Sequence, residues 1–277
     1  VSWYAIEVLP DAGRRDAVAA WLVDRTGEAI EERADGTLVS FARSIPAAEA
    51  LERDLARIHG PGIPVARREH PEVDWTVAWR QGLGVRRIGR FAIVPSWLPY
   101  DAASGEEVIR IDPEMAFGSG EHGSTRAALA LLDRFVKPGH TVLDLGSGSG
   151  ILTIAAARLG AAPAVGIEVE PDSLPVATEN AERNGVAGLV TFLEGDAAQI
   201  TPLLAPANVI VSNILRLINI ALLPEVRAAL APGGVAIFSG MEAGEAESFR
   251  AALMEWGFRV VAEHLDETWW AVAATPA

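Results

Sequence analysis

Cysteine is absent from the 277-residue chain, which excludes a disulfide scaffold and any cysteine-based zinc site. The five histidines (His59, His70, His122, His140, His264) are scattered, with no two at metal-ligand spacing. No apolar run is long enough to span a bilayer, and the first residues lack the basic-then-apolar pattern of a signal peptide. Positive charge is scarce as well. Lys plus Arg number 23 against 37 Asp plus Glu, a net charge of −14, and Lys137 is the sole lysine. So acidic a surface argues against a nucleic-acid groove, whose affinity depends on neutralising phosphates. It fits plain solubility or attraction of a basic partner. The expectation is a cytoplasmic protein with no membrane segment, no metal and no direct nucleic-acid site.

Half of the residues are hydrophobic, enough for a substantial core, and the length suits two domains of ordinary size. Residues 2–9, "SWYAIEVL", alternate as a strand should. "DAGRRDAVAAWLVD" has Ala17, Val18, Trp21 and Leu22 at helical spacing, and "AIEERADGTLVSFAR" reads as two short strands around an Asp35-Gly36 turn. A second amphipathic helix follows in "PAAEALERDLARIHG", and then the strand "IPVARRE". The order β-α-β-β-α-β predicts a small ferredoxin-like domain over residues 1–68. It carries no convergent acids and no nucleophile with a base, so its expected job is binding or packing. Residues 69–100 hold Trp75, Trp79 and Trp97 among prolines and glycines. They are read as a connector with packing of its own, since flexible linkers are Gly/Ser-rich.

From residue 101 onward strands and helices alternate. "HTVLDL", "AVGIEV", "LVTFLEG", "ANVIVSNI" and "GGVAIFSG" are short runs suited to a buried parallel sheet. "ILTIAAARLG", "DSLPVATENAERNG" and "LLPEVRAALAPG" are helical, and "FRVVAEHL" with "TWWAVAA" form a closing antiparallel pair. The fold class is α/β: a doubly wound, Rossmann-like, seven-stranded domain over residues 101–277, preceded by the small α+β domain.

Ligands of such a sheet sit outside the C-terminal strand ends, where the loop Gly146-Ser147-Gly148-Ser149-Gly150 falls. Glycines there let a ligand approach the backbone closely. The preceding Asp144 discriminates between ligands, because a carboxylate beside a helix N-terminus opposes the pyrophosphate of a dinucleotide. It suits a ligand with a cationic end. S-adenosylmethionine (SAM) has an ammonium, a sulfonium and an adenosine, and no phosphate. Glu168, 22 residues after Gly146, ends the second strand and can accept both ribose hydroxyls. Asp196 follows the third strand, within reach of an adenine amino group. Any one of these acids alone would read as a solvated loop end; three at successive strand ends beside a glycine turn read as a SAM site. Asn213 ends the fourth strand, placed to hold an acceptor nitrogen or the cofactor and to act in catalysis, with Ile214 and Leu215 as an apolar wall. Thr125 stands where a glycine-rich loop enters a helix, either as its cap alone or also touching the cofactor.

The stretches "DPEMAFGSGEHGSTR", "VLDLGSGSGILTIAAARLGA", "VGIEVEP", "NAERNGV" and "SNIL", with the connector "DWTVAWRQGLGVRRIGRFAIVPSW", resemble the ribosomal protein L11 methyltransferases. The resemblance implies cofactor contacts from Thr125, Gly146, Glu168 and Asn213, and sets Phe117 beside the same ligand. It also implies that the N-terminal domain recognises the protein substrate, free or on the large ribosomal subunit. The family usually has threonine, histidine and proline at Glu121-His122-Gly123, aspartate at Glu168 and cysteine at Ser147. The expected activity is SAM-dependent N-methylation of lysine side chains, of the N-terminal amine, or of both, in ribosomal protein L11. The alternatives are a same-fold methyltransferase acting on another protein or a small amine, a nucleotide-binding oxidoreductase, and a silent SAM-binding module.

Overall fold

The computed structural model describes residues 3–11, 13–26, 30–33, 35–60, 62–70, 83–113 and 116–277. The chain forms two compact units, residues 1–81 and 82–277. Among the described residues no helix is long and apolar enough to cross a membrane.

The first unit runs β1 (Trp3–Val8), α1 (Arg15–Thr26), β2 (Glu31–Glu32), β3 (Leu38–Ala42), α2 (Ile45–His59) and β4 (Val65–His70). Its sheet order is β2-β3-β1-β4 with every pairing antiparallel, the ferredoxin-like arrangement. Local chemistry sets the boundaries. Ser44 Oγ accepts from Ala47 N at 3.3 Å to cap α2, Pro46 sits in its first turn, and Gly60 ends it at φ 87°. Ile6, Val8, Val18, Leu22, Leu38, Leu51 and Leu55 make the buried core.

The second unit opens with a three-stranded sheet of β5 (Arg86–Ile88), β6 (Phe91–Pro95) and β7 (Glu107–Ile111). The expected boundaries at 68 and 100 therefore differ from the observed ones. β4 extends to His70, and the C-terminal part of the expected connector belongs to the second unit. The reason is burial: Phe91, Ile93, Ile109 and Ile111 share one core with the α/β domain that follows. Trp75 and Trp79 lie outside the described residues. The free edge of β7 is closed by two asparagines four residues apart. Asn184 accepts from Arg110 N at 2.8 Å and donates to Arg110 O at 2.7 Å, while Asn180 does the same for Asp112 at 2.9 and 3.0 Å. Their amides take the place of a neighbouring strand.

Next come α3 (Gly123–Phe135), β8 (Val142–Leu145), α4 (Ile151–Arg158), β9 (Ala164–Glu168), α5 (Ser173–Arg183) and β10 (Val190–Glu194). α6 (Ala197–Ile200), β11 (Ala207–Asn213), α7 (Arg216–Ala221), α8 (Leu223–Ala229) and β12 (Leu230–Glu242) follow, and α9 (Ala246–Glu255), β13 (Phe258–Asp266) and β14 (Trp269–Pro276) close the chain. The seven-stranded order is β10-β9-β8-β11-β12-β14-β13, five parallel strands and an antiparallel terminal pair. β8 and β11 are adjacent, and the chain winds outward from them in opposite directions. That point is the topological switch of a doubly wound sheet, where ligands bind. The helix expected over 222–233 ends earlier, at Ala229, because strand β12 already starts at Leu230.

Strand periodicity sorts the core into two layers. Val142, Val209, Val211, Ile237 and Ala273 face the cluster that contains α3 and α4. Leu143, Leu145, Ile167, Ile210 and Phe238 face the opposite cluster, with α8 and α9. Asp144 lies two residues after Val142 and shares its face.

Candidate active site

A cavity of about 740 Å³ opens at the C-terminal ends of β8, β9, β10 and β11, within the usual size range for small-molecule sites. Six of the nine site residues expected from the sequence line it: Phe117, Gly146, Gly148, Glu168, Asp196 and Asn213. Thr125, Asp144 and Gly150 do not.

Asp144 is completely buried, on the face that α4 covers. Its Oδ2 accepts from Thr153 N at 3.0 Å and Thr153 Oγ1 at 2.7 Å, so the carboxylate pins the first turn of α4 behind the glycine loop. The direct role at the cavity wall that its position before the glycines implied is therefore corrected: pleat alternation turns it inward. Burial raises its pKa to about 7, against the Thr153 hydrogen bonds, which lower it. Between the ordinary aspartate range near pH 4 and about pH 7, the folded protein keeps a proton that the unfolded chain has released. Stability should thus fall as pH rises through this window and level off above it. Asp144→Asn should flatten that segment of the thermal stability profile; an unchanged slope would show that Asp144 titrates at its ordinary pH.

Gly150 is likewise behind the wall. It turns the chain into α4 at φ 80°, and an added Cβ would strike the Phe192 ring at 2.8 Å. Thr125 is fully buried inside α3, which starts after His122, so it is not the helix cap. Its Oγ1 instead accepts from Asn213 Nδ2 at 3.2 Å. This bond leaves Asn213 Oδ1 with no partner among the described residues, on a side chain that lines the cavity.

Glu168 is 8 % exposed, more enclosed than a solvated strand end. Oε2 accepts from Gly148 N at 2.7 Å, and Oε1 from Val169 N and Glu170 N at 2.9 and 3.0 Å. The carboxylate therefore ties the glycine loop to the end of β9 while facing the ligand space. Asp196 caps α6 by accepting from Ala198 N at 2.8 Å and stands at the cavity rim. Gly148 is where glycine is required. At φ 50° its absent Cβ would lie 2.5 Å from Phe117 O, so the loop 116–122 can rest directly on the glycine loop.

Two aromatic wall residues were not among the site residues expected from the sequence. His122 and Trp269 both line the cavity, with ring centroids 4.1 Å apart, and Phe117 packs edge-on to His122 at 5.2 Å. The signal was Gly123, whose Cβ would meet Trp269 Cδ1 at 2.6 Å, but a contact across more than half the chain has no local pattern. His122 Nδ1 lies 2.7 Å from Ser124 Oγ. Burial, then the charge of Arg126, holds the His122 pKa below its ordinary value. A neutral imidazole, an indole and a phenyl ring offer π faces that favour a cationic centre. Glu168 and the unpartnered amide oxygen of Asn213 supply buried acceptors, and Asp196 one at the rim. This donor set fits a positively charged ligand rich in hydroxyl and amino groups better than a phosphate.

Comparison with known proteins agrees. The family profile described as "Ribosomal protein L11 methyltransferase (PrmA)" matches residues 37–276. A protein of Pelotomaculum thermopropionicum named ribosomal protein L11 methyltransferase is 43% identical over 228 residues, covering 82% of this chain and 73% of its own. One of the same name from Thermus thermophilus is 40% identical over 196 residues, with 71% of this chain and 75% of its own length covered. Among solved structures, ribosomal protein L11 methylase from Lactobacillus delbrueckii subsp. bulgaricus superposes with a TM-score of 0.64 at 32% identity. That match covers 70% of this chain and 99% of the other.

Proposed function

Since the chain belongs to the ribosomal protein L11 methyltransferase family, we propose that its cavity binds SAM and that the protein methylates amino groups of ribosomal protein L11, in the cytoplasm where that protein is made. The observation that carries this reading is the cavity at the switch point of the sheet, with acids at two strand ends, an unpartnered amide oxygen and an aromatic wall.

Glu168 would take the ribose hydroxyls, Asp196 the adenine amino group, and the loop at Gly146 and Gly148 the amino-acid end. When bound, SAM supplies a methyl carbon on a sulfonium, open to in-line attack by an amine lone pair. The protein contributes position and dryness. Asn213 Oδ1 offers the acceptor amine a hydrogen bond that aims its lone pair. Phe117, His122 and Trp269 exclude water. A lysine reaches the site as an ammonium with a pKa of about 10.4 in water, and burial against these rings lowers it, favouring the neutral nucleophile. The neutral state of His122 adds no like charge to that pocket. The first unit recognises the acceptor protein, free or on the large ribosomal subunit.

Calorimetry checks the ligand. S-adenosylhomocysteine should bind at micromolar level and NAD negligibly. Glu168→Ala should weaken binding by roughly 1.5–3 kcal/mol through lost charge-assisted hydrogen bonds. It should also lower the melting temperature, because Gly148 N, Val169 N and Glu170 N lose their acceptor. Comparable NAD affinity would overturn the assignment of the cavity, and unchanged binding by the variant would remove Glu168 from it.

A further inference from the structure

The loop of residues 116–122 carries two of the three wall rings, and its two anchors differ in kind. Its middle is fastened to the glycine loop: Ser149 N donates to Phe117 O at 2.9 Å and Ser149 Oγ to Gly118 O at 2.6 Å. Ser149 is fully buried and its carbonyl accepts from Asn180 Nδ2 at 3.0 Å, so that anchor is part of the core. The other end is held by a side chain. Glu121 Oε1 accepts from Gly84 N at 3.0 Å, and Oε2 from Arg86 Nε at 2.7 Å, with Arg86 Nη2 at 2.6 Å. The Glu121 carbonyl in turn accepts from Arg126, whose guanidinium also donates to Asp266 Oδ2 at 3.0 Å, beside the turn that presents Trp269.

Glu121 does not line the cavity, but the next residue, His122, does. The Arg86 and Glu121 side chains are 44% and 23% exposed, so the ion pair itself adds little to stability. What a forked guanidinium on a carboxylate does provide is a fixed geometry. Here it connects residues 35 and 37 positions apart in sequence at the end of the loop that runs into α3, where the buried Ser124 hydroxyl also meets His122 Nδ1 at 2.7 Å.

We infer that Glu121 is a positioning residue for the methyl acceptor: its carboxylate, held by Gly84 and Arg86, fixes His122 against Trp269 and so sets the wall along which the acceptor amine enters. The inference rests on the proposed methyl-transfer reading of this cavity. Its expected effect is on the acceptor side, since the hydrogen bonds of Glu168 and Asp196 do not involve Glu121.

The test uses the full-length protein with Glu121→Ala, Glu121→Gln and Arg86→Ala. The first readout is the His122 ring resonance, identified by its loss in His122→Gln and shifted by the Trp269 ring current. In Glu121→Ala and Arg86→Ala it should move toward the position of a solvated histidine. The second is methylation of ribosomal protein L11, where kcat/KM for the acceptor should fall about tenfold, the scale of a slightly misplaced wall. Affinity for S-adenosylhomocysteine and melting temperature should stay unchanged. Glu121→Gln, which keeps an acceptor for Gly84 N, should fall between wild type and Glu121→Ala. An unmoved resonance would overturn the inference. So would a moved resonance with unchanged kcat/KM, or a parallel loss of cofactor affinity. Wild-type protein that methylates no ribosomal protein would instead refute the proposed function, and the resonance would still decide whether Glu121 holds His122.

Discussion

Asn213→Ala should reduce single-turnover methylation by a factor on the order of a hundred, the cost of losing a near-attack orientation. The side chain ends β11 at the cavity, and its Nδ2 bond to Thr125 Oγ1 at 3.2 Å fixes which way the amide faces. Oδ1 has no protein partner among the described residues, although buried polar atoms almost always find one. A hydrogen bond from the acceptor amine or the cofactor would satisfy it. Removing the side chain also takes the partner from the buried Thr125 hydroxyl, for a stability loss of about 1 kcal/mol. Melting temperature and turnover separate the two roles. A loss of stability with normal turnover would make Asn213 a structural residue that merely steadies α3.

Deleting residues 1–81 should abolish methylation of the protein substrate while leaving affinity for S-adenosylhomocysteine nearly intact. The second unit has its own two core clusters, and every described residue that lines the 740 Å³ cavity belongs to it. The first unit has a separate core of its own. Rate measurements with intact L11 and calorimetry on the truncated protein test this together. A truncated protein that methylates L11 at the full rate would show that the first unit does not recognise the acceptor.

The doubly wound sheet was legible because its strands are short, apolar and bounded by glycine turns; "VLDL" is buried at all four positions. The ferredoxin-like unit was legible because its helix ends and turns are local: Pro46, Gly60 and the Asp35-Gly36 turn. The strand-end residues Glu168, Asp196 and Asn213 could be placed at a cavity because strand ends converge in this topology. What the sequence hid was direction and distance. Asp144 stands at the right place in the chain, yet the two-residue pleat sends its carboxylate under α4 to Thr153. Thr125 and Gly150 are close to the site in sequence and one layer behind it in space. Trp269 looked like an edge-strand residue because the hairpin that brings it onto His122 is a long-range contact. Strands β5 and β6 were read as connector because they are only three and five residues long and their sheet is completed by β7 from beyond it, with two asparagines of α5 closing the edge where a fourth strand would.

Mass spectrometry of ribosomal protein L11 incubated with the purified protein and SAM tests the central claim most directly. The account predicts that L11 gains whole methyl increments on amino groups, and that the gain disappears when SAM is omitted or Asn213→Ala replaces the wild type over the same short interval. L11 left at its original mass, while the protein binds S-adenosylhomocysteine normally, would contradict it.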